Sequence, residues 1–553
     1  MEIFLIHNMA PIMFGSLVVF LLLGYPAAFS LGAVGLIFAL IGIEFGLFVP
    51  DFLQALPERV YGVMSNDTLL AIPFFTFMGL VLERSGMAED LLDTIGQLFG
   101  TARGGLAYAV VFVGALLAAT TGVVAASVIS MGLISLPIML RYGYDRRVAT
   151  GVIAASGTLA QIIPPSLVLI VMADQLGRSV GDMYEGAFIP GLVLTGLYAG
   201  YIFLVTLLFP KATPGLPPEA IGFRESDGSR GLISLGVLAV ASATFGWLIM
   251  RNSESHGADF VVLSMFFSIL FAFAIALVNW ATSHWIGFRF LSHMAQQTTF
   301  VMVPPLFLIF LVLGTIFIGV ATPTEGGAMG ASGALILGAF KRRLTWDLVR
   351  QAVEATAKLS AFVVFILLGA RVFSLTFYGV SGHIWVENLL TALPGGQVGF
   401  LVFVNAFVFV LAFFLDFFEL AFIIIPLLGP AAEHLGIDLI WFGVILGVNM
   451  QTSFMHPPFG FALFYLRSVA PKESYLDRVT GKRTDPVTTG QIYWGAMPFV
   501  VIQVIMVLLV ILFPAMVMHY KGAASTIDPN KVKIDIPQIE LPALNFNDPP
   551  NMK

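Results

Sequence analysis

The chain has 553 residues, of which 58% are hydrophobic and 11% are charged, and its mean hydropathy is +0.93. Soluble domains carry about a quarter charged residues, so most of this chain is expected to avoid water, which indicates an integral membrane protein. Cysteine is absent, which excludes disulfides, thiolate nucleophiles and cysteine-ligated metals. A net charge of -6 argues against a nucleic-acid partner.

Twelve apolar runs are long enough to cross a bilayer as helices, which takes about 20 residues. They lie near residues 8–23, 26–43, 68–83, 148–175, 186–209, 231–250, 259–280, 298–319, 323–340, 352–378, 438–466 and 491–517. Two further stretches, 105–140 and 400–435, are too long for one crossing and too short for two with a loop. Each is therefore predicted to be a re-entrant hairpin in an all-α polytopic membrane protein.

Basic residues predict the orientation, because Lys and Arg mark cytoplasmic loops. The clusters are Arg84 with Arg103, Arg141 with Arg146 and Arg147, Lys341 to Arg343, and Arg467 to Arg483. All of them lie inside if the first hairpin opens inward, the second opens outward, and both termini are periplasmic.

Few segments between the spans are predicted to lie outside the membrane. Residues 211–230 form a polar, proline-bearing cytoplasmic linker. Residues 87–99 and 383–393 have apolar side chains at helical spacing and are predicted to be short helices along the interface. The tail, 521–553, is polar and proline-spaced and is predicted to be irregular.

Two segments of the sequence align with each other, without a gap, when the chain is shifted by 293 residues. The shift places Pro137, Gly143, Asp145, Pro164 and Pro165 on Pro430, Gly436, Asp438, Pro457 and Pro458. Each copy consists of a hairpin, a Gly-x-Asp turn, a helix and a Pro-Pro pair. Seven predicted crossings separate the two hairpins, so the copies have opposite orientations. Many secondary transporters build their binding site from such inverted repeats with interrupted helices.

Four polar interruptions of the apolar sequence are the candidate functional positions. They are the hairpin tips at 120–127 and 415–419 and the breaks at 156–165 and 449–458. Irregular backbone inside a bilayer has unpaired polar groups, which are tolerated only when they face protein, ion or water. Freed carbonyls can bind a hard cation such as sodium. Alternatively, proline kinks and small hydroxyl residues merely help the helices to pack.

Several motifs resemble those of the large membrane subunit of tripartite ATP-independent periplasmic (TRAP) transporters, within the wider ion transporter superfamily. They are Gly143-Tyr144-Asp145, Gly157-Thr158, Ile163-Pro164-Pro165-Ser166, Ala321-Thr322-Pro323-Thr324-Glu325, Leu415-Asp416, Leu435-Gly436-Ile437-Asp438, and Asn449 with Pro457-Pro458-x-Gly460. These motifs extend over most of the membrane core, from about residue 100 to residue 465.

The resemblance implies a sodium-driven importer of organic acids in the bacterial inner membrane. Such a chain receives substrate from a periplasmic substrate-binding protein and works with a small four-helix membrane subunit. Family members move as an elevator. On that pattern the transport domain consists of residues 105–175 and 400–466, and the scaffold consists of residues 1–83 and 298–378. The arms are residues 87–99 and 383–393, the connecting helices are residues 186–280, and the last span is residues 491–517.

The chain also departs from the family pattern. Where many relatives have a Ser-Gly-Ser-Ser type tip on the first hairpin, it has Thr121-Gly122-Val123-Val124. Phe417 and Phe418 stand where Ser and Thr are frequent, and His456 stands where Thr is usual. These changes place larger and mostly less polar side chains on one side of the site, which is therefore expected to hold less water. The extra helix pair at 231–280 resembles the longer branch of the family, whose substrates include 2-oxo acids, other monocarboxylates and aromatic acids.

The candidate site residues follow from the interruptions and the resemblance. The sodium-binding candidates are Thr121, Gly122, Ser127, Ser156, Gly157, Thr158, Asp416, Asn449 and Thr452. The substrate-binding candidates are Arg371, Glu419, Gln451 and His456, and the helix breaks are expected at Pro164, Pro165, Pro457 and Pro458. Sodium is the only metal expected, and no cofactor is predicted.

Three charged or titratable residues have alternative interpretations. Arg371 lies in an apolar span, where it is expected to pair with the substrate carboxylate or with an acidic residue of the transport domain, or else to extend to the interface or meet a structural Glu. His456 allows proton coupling, although a hydrogen-bonded structural role is more common. Glu325 follows Thr322 at a helix start, where a capping role is expected.

Two other functions are alternatives to the importer. A self-sufficient sodium- or proton-coupled carrier of the same superfamily would capture the organic anion directly. An intramembrane enzyme would need a convergent base, nucleophile or metal cluster, and the sequence shows none. No nucleotide-binding loop of the G-x-x-x-x-G-K-[ST] type is present, so ATP-driven transport would need another chain.

Overall fold

The computed structural model describes residues 2–520 apart from 223, 224, 226–228, 254–256, 459 and 478. It also leaves out the side chains of Glu2, Ile3, Thr121, Gly257 and Ala258. The predicted tail, 521–553, and part of the predicted linker therefore lie outside the described residues. In the described part the fold is helical apart from one small antiparallel strand pair, β1 (Tyr475–Leu476) and β2 (Arg483–Thr484). The all-α prediction is confirmed.

The first half of the chain contains the first hairpin and the first broken helix. Its helices are α1 (Glu2–His7), α2 (Met9–Leu22), α3 (Ala27–Glu44), α4 (Leu56–Met64), α5 (Ala71–Arg84), α6 (Met87–Phe99), α7 (Gly105–Thr121), α8 (Val124–Arg141), α9 (Arg146–Thr158), α10 (Leu167–Leu176), α11 (Val180–Leu208), α12 (Leu232–Met250) and α13 (Gly257–Trp285). Short 3-10 turns cover Pro50–Ala55, Asp67–Leu70, Leu159–Gln161 and Pro218–Ala220.

The second half repeats the hairpin and the broken helix. Its helices are α14 (His293–Phe317), α15 (Pro323–Phe340), α16 (Trp346–Gly379), α17 (Gly382–Thr391), α18 (Gly396–Leu411), α19 (Phe417–Glu419), α20 (Ile425–His434), α21 (Leu439–Met450), α22 (Phe461–Val469), α23 (Thr489–Leu512) and α24 (Ala515–Met518). A π-helical turn, Leu420–Ile424, joins α19 to α20, and a 3-10 turn, Gln451–Phe454, follows α21.

Within the described residues, nine helices are long and apolar enough to cross a membrane, or up to eleven if each of two bent pairs is one span. One bent pair was not predicted. Residues 50–64 precede Asp67–Arg84 at an angle of 45°. Pro50, Pro57 and Arg59 interrupt the apolar run there, so hydropathy alone does not reveal this helical segment.

Each of the two Gly-x-Asp turns of the repeat ends one helix and caps the start of the next. Gly143 and Gly436 adopt positive φ angles of 82° and 71°, which a residue with a Cβ rarely tolerates. Asp145 then caps α9 by accepting a hydrogen bond from the Arg147 N–H at 2.8 Å, and Asp438 caps α21 in the same way. The repeated residues therefore set where each broken helix begins.

Both hairpins start and end at the same level, as a re-entrant segment requires. At the base of the first hairpin, the N–H of Leu106 donates to the Tyr144 hydroxyl at 3.2 Å. At the base of the second, the Gln397 side chain donates to the carbonyl of Leu435 at 2.7 Å. The prediction of two re-entrant hairpins is confirmed.

The first hairpin opens on the face that carries the basic loops. Arg141, at the end of α8, pairs with Asp477 in the loop after α22 at 2.9 Å. Lys341 and Arg343 both pair with Asp90 of α6. The loops that were predicted to share the cytoplasm thus contact one another.

The second hairpin is anchored to the opposite end of the first broken helix. Arg178, just beyond α10, pairs with Glu433 at the end of α20 at 2.9 Å. Conversely, Arg467 in the last turn of α22 donates to the carbonyl of Val487 in the basic-face loop. The two broken helices therefore run in opposite directions, as the inverted repeat predicts.

Asp477 organises the loop between α22 and α23 on the basic face. Its carboxylate accepts hydrogen bonds from the N–H groups of Val479 and Thr480 and from the Thr480 hydroxyl, besides its pair with Arg141. The Thr480 N–H and the Arg141 guanidinium lower the pKa of Asp477 to about 2. The carboxylate therefore stays ionised, and the ion pair intact, throughout the physiological pH range.

The side of the membrane that each face occupies can be tested by single-cysteine labelling, since the chain has no cysteine. Ala392→Cys lies exposed before the second hairpin, and Lys472→Cys lies exposed on the basic face. In intact spheroplasts a membrane-impermeant maleimide should label Ala392→Cys only, and Lys472→Cys should react only after permeabilisation. The reverse pattern would contradict the predicted orientation of the whole chain.

Candidate functional site

The two helix breaks meet at the centre of the molecule. The Gln451 side-chain amide donates to the Thr158 hydroxyl at 3.1 Å, and the two residues are 293 positions apart, which is the offset of the inverted repeat. Both side chains are fully buried. This hydrogen bond between equivalent positions places the two breaks on a pseudo-two-fold axis.

Two further polar side chains extend this contact into the surrounding helices. The Gln503 amide, on α23, donates to the Thr158 hydroxyl at 3.4 Å and to the Tyr198 hydroxyl of α11 at 2.9 Å. Gln503 and Tyr198 are fully buried. Neither residue was singled out from the sequence, although each is a polar group in an apolar span.

Close packing of the first hairpin on the first break depends on residues without side chains. A Cβ on Gly114 of α7 would lie 2.4 Å from the Ser156 Cβ, and one on Gly157 would lie 2.3 Å from a methyl group of Val128 on α8. Ser156, Gly157 and Thr158 are therefore held between both arms of the first hairpin.

The second break is held by the first arm of the second hairpin. The Asn449 amide donates to the backbone carbonyl and side-chain oxygen of Asn405, at 2.8 and 3.0 Å. Thr452 donates to the carbonyl of Asn449, and a ring nitrogen of His456 lies 3.2 Å from the Thr452 hydroxyl. Phe413 stacks on the His456 ring, with 4.0 Å between ring centroids.

Asp416 and Glu419 form a local capping box at the second hairpin tip. The Asp416 carboxylate accepts from the N–H of Glu419 at 2.8 Å, and the Glu419 carboxylate accepts from the N–H of Asp416 at 3.0 Å. The same arrangement joins Thr322 and Glu325 at the start of α15, where the predicted capping role is confirmed. For Asp416 and Glu419, roles in sodium and substrate binding remain predictions.

The first hairpin tip lies against the start of α10. Gly122 ends α7, and a Cβ there would contact Leu167, the first residue of α10, at 3.2 Å. Ser127, in the first turn of α8, is fully buried. The side chain of Thr121 lies outside the described residues. Pro164 and Pro165 lie between the 3-10 turn and α10, and Pro457 and Pro458 occupy the equivalent place before α22.

Buried oxygen atoms around the breaks have no hydrogen-bond partner within the described chain. They belong to Ser156, Gln161, Gln451, Ser453 and Gln503. All five side chains are at most 2% exposed. Buried acceptors of this kind are costly when left unpaired, and side-chain and backbone oxygens are the ligands that hard cations prefer.

A cavity of about 330 Å³ lies between the two hairpin tips. The tips contribute Gly122 to Ala125 and Asp416 to Phe418, and the breaks contribute Gln161 and Phe454. Helix α10 adds Leu167 and Val168, α22 adds Phe461 and Tyr465, and α16 closes the cavity with Leu359 and Phe362. Among these described residues the polar side chains are Gln161, Asp416 and Tyr465, and none is cationic. We refer to this space as the central cavity.

The central cavity includes residues that the sequence did not indicate. Gln161 is a polar residue between Thr158 and Pro164, so its position in the break was a usable signal. Phe362 and Tyr465 gave none, because an aromatic residue in an apolar span is usually lipid-facing or core. The structure does not bring Arg371, Glu419, Gln451 or His456 into the lining of this cavity.

Arg371 instead lines a second cavity of about 280 Å³. Its walls come from α4, α10, α16 and the second arm of the second hairpin. Arg59 and Gln175 share this lining with Arg371. We refer to this space as the arginine cavity.

The comparisons with known proteins agree with this architecture. Residues 14–516 match the family model "Tripartite ATP-independent periplasmic transporter, DctM component". The chain belongs to this family. It is the large permease subunit of a secondary transporter and is not an enzyme.

Individual relatives are similar over most of the chain. A C4-dicarboxylate TRAP transporter large permease protein from Pseudomonas aeruginosa is 27% identical over 85% of this chain and 90% of its own length. The isethionate TRAP transporter permease protein DctMQ of Oleidesulfovibrio alaskensis is 25% identical over 83% of this chain and 60% of its own length. The crystal structure of the Alcanivorax borkumensis YdaH transporter matches with a TM-score of 0.48, at 16% identity over 85% of this chain and 90% of that one.

The packing of the first break predicts the effect of Gly114→Ala. The added methyl group would meet Ser156 at 2.4 Å, so hairpin and break must separate, and we expect a loss of about 1–3 kcal/mol in unfolding free energy. Gly200→Ala is the matched control, because its Cβ would have no neighbour within 4 Å and alanine favours a helix by about 1 kcal/mol. Thermal unfolding of both detergent-purified variants measures the difference. Equal melting temperatures would show that the close approach is not required.

Proposed function

We propose that this chain is the permease of a sodium-coupled importer of organic acids in the bacterial inner membrane. The central cavity supports this proposal most directly, because both hairpin tips, both helix breaks and α16 converge on it. A site at the junction of inverted repeats with interrupted helices is typical of secondary transporters. The substrate is a monocarboxylate with an apolar body, such as a branched 2-oxo acid.

The preference for an apolar body follows from the lining of the central cavity. Five phenylalanine side chains contribute to it: Phe362, Phe417, Phe418, Phe454 and Phe461. Ligand pockets of this kind gain affinity from apolar contact and orientation from a few polar groups. The NH2 group of the Gln161 side chain and the Tyr465 hydroxyl are donors that can supply that orientation to a carboxylate. A dicarboxylate would place a second charge against aromatic rings and Asp416, which is unfavourable.

Sodium coupling is supported by the buried oxygens at the breaks. Ser156 and Asn449 are equivalent under the repeat, and each lies at the end of a helix that breaks in the protein interior. Thr158 and Thr452 add hydroxyl groups, and the last turns of α9 and α21 add backbone carbonyls that lack the usual helical partner, of which those of Ala155 and Asn449 accept from these two threonines. These groups match the chemistry of a sodium ligand set.

The proposed partners are a small membrane subunit and a periplasmic substrate-binding protein. One relative carries the name DctMQ, and the present chain covers only 60% of it, so that relative has additional sequence. We propose that a separate small subunit binds the helices outside the two hairpins and broken helices. The hairpins and broken helices then move as one body against α16 and its neighbours, with α6 and α17 as arms.

Reconstituted uptake tests the coupling ion and the partners. Proteoliposomes should accumulate radiolabelled 4-methyl-2-oxopentanoate only with an inward sodium gradient, the small subunit and the cognate binding protein. Omitting each component in turn should abolish uptake. Uptake by this chain alone, or uptake driven by protons without sodium, would instead favour the self-sufficient carrier.

Substrate choice has a separate test in the same vesicles. Unlabelled phenylpyruvate and 3-methyl-2-oxobutanoate should compete with the labelled acid, whereas succinate should compete at least tenfold less, because it adds a charge to an aromatic cavity. Stronger competition by succinate would contradict the apolar assignment of the central cavity.

The role of the first break in sodium binding predicts a defect in Ser156→Ala. Loss of one ligand oxygen should raise the sodium concentration for half-maximal uptake by about tenfold, which corresponds to about 1.4 kcal/mol. Ser135→Ala is the matched control, because Ser135 also has a buried, unpaired hydroxyl but lies on α8 away from both breaks. Equal sodium dependence of the two variants would remove Ser156 from the site.

A further inference from the structure

We propose that the arginine cavity is a second anion site, which binds the carboxylate of the transported acid before it reaches the central cavity. This inference rests on the proposed function for the identity of the anion. The cavity has a volume of about 280 Å³. That is enough for a carboxylate group and a few carbon atoms, and it lies near the lower limit of ligand sites.

Two arginines give the cavity its charge. Arg59 comes from α4 and is exposed, and Arg371 comes from α16 and is half-buried. Among the described residues, neither guanidinium has a carboxylate partner within 4 Å. A cation within an apolar span is expensive unless it is paired or functional. An anion shared by both side chains would remove that cost.

A carboxylate next to a lining residue is already hydrogen-bonded to two amides. Asp174 precedes the lining residue Gln175, and its oxygens accept hydrogen bonds from the amides of Asn66 at 2.6 Å and Gln175 at 2.7 Å. Glu58 is adjacent to Arg59 on one helix, and consecutive helical residues do not face each other. Neither of these carboxylates pairs with the two arginines, and guanidinium groups can bind a ligand carboxylate in a bidentate manner.

The polar groups beside the arginines suit a carboxylate. Ser374 and Tyr378 lie on α16 one and two turns beyond Arg371 and also line the cavity. The Tyr378 ring stacks on His383, and its hydroxyl lies 3.5 Å from the carbonyl of Pro426. The Pro426 contact links α16 to the second hairpin, and the His383 contact links it to α17.

The position of the cavity fits an entry site. Arg371 lies nine residues beyond Phe362 on α16, so these two residues are about 14 Å apart along the helix axis, and the nearest lining residues of the two cavities, Phe362 and Leu367, are about 8 Å apart. The direction leads away from the basic loops, toward the face that carries Arg178 and Glu433. On the predicted orientation this is the periplasmic face, where substrate arrives. An acid would first meet two cations and then the aromatic central cavity.

Anion binding to the detergent-purified chain tests the site without transport. At constant ionic strength, 4-methyl-2-oxopentanoate or acetate should raise the melting temperature of the wild-type chain more than chloride does. Arg59→Gln and Arg371→Gln should each reduce that difference, and Arg371→Lys should restore part of it. Arg350→Gln is the control, because Arg350 is on the same helix but pairs with Glu354 near the basic face.

The same variants test the site during uptake. Arg59→Gln should raise the KM for 4-methyl-2-oxopentanoate by about three- to fivefold, and Arg371→Gln by about tenfold, while the maximal rate changes less. Arg350→Gln should leave both unchanged. Unchanged KM in Arg59→Gln and Arg371→Gln, with active wild-type protein, would overturn the inference.

Two further outcomes are distinguishable. If phosphatidylglycerol stabilises the chain in an Arg59-dependent manner and carboxylates do not, the site binds a lipid headgroup and the inference is wrong. If carboxylates stabilise the wild type through Arg59 and Arg371 but no acid is taken up under any gradient, the anion site stands and the proposed function fails.

Discussion

The architecture depends on one constraint, which is that a backbone leaving a helix inside a bilayer must find other partners for its polar groups. This chain interrupts its helices at two internal breaks and places them against each other. The Thr158–Gln451 hydrogen bond joins equivalent positions of the two copies. Each break therefore provides part of the polar surroundings of the other. The surrounding hairpins supply the rest, through Ser156 packed on Gly114 and Asn449 bound to Asn405.

Helix α16 is the common wall of both cavities. Leu359 and Phe362 close the central cavity, and Arg371 and Ser374 line the arginine cavity further along the same helix. The opposite walls come from the hairpins and broken helices, except that α4 contributes Arg59 to the arginine cavity. If those elements slide along α16, a bound acid passes from a polar, cationic surface to an apolar one. The chemistry of α16 would then differ at the two ends of the movement, which gives each end state its own affinity for the substrate.

Local signals in the sequence were sufficient for much of this fold. Gly143, Asp145 and their equivalents were recognisable because a positive φ angle and an N-cap each favour few residue types. The lining of the central cavity was less accessible. Phe362 and Tyr465 come from helices distant in sequence, and only tertiary packing shows that their rings face the hairpin tips. Arg371 stands out in the sequence as a cation within an apolar span, but its place on a helix does not tell which of two cavities it lines.

The contents of the central cavity suggest why transport would need a cation. Asp416 is the acidic residue among its described lining residues, and no cationic side chain accompanies it there. An acid entering alone would bring a second negative charge into a largely aromatic space. A sodium ion bound at the adjacent tips and breaks would offset the charge of Asp416 and make room for the substrate carboxylate. By linkage, the acid would then increase the affinity for sodium to the same extent, so that each favours the binding of the other.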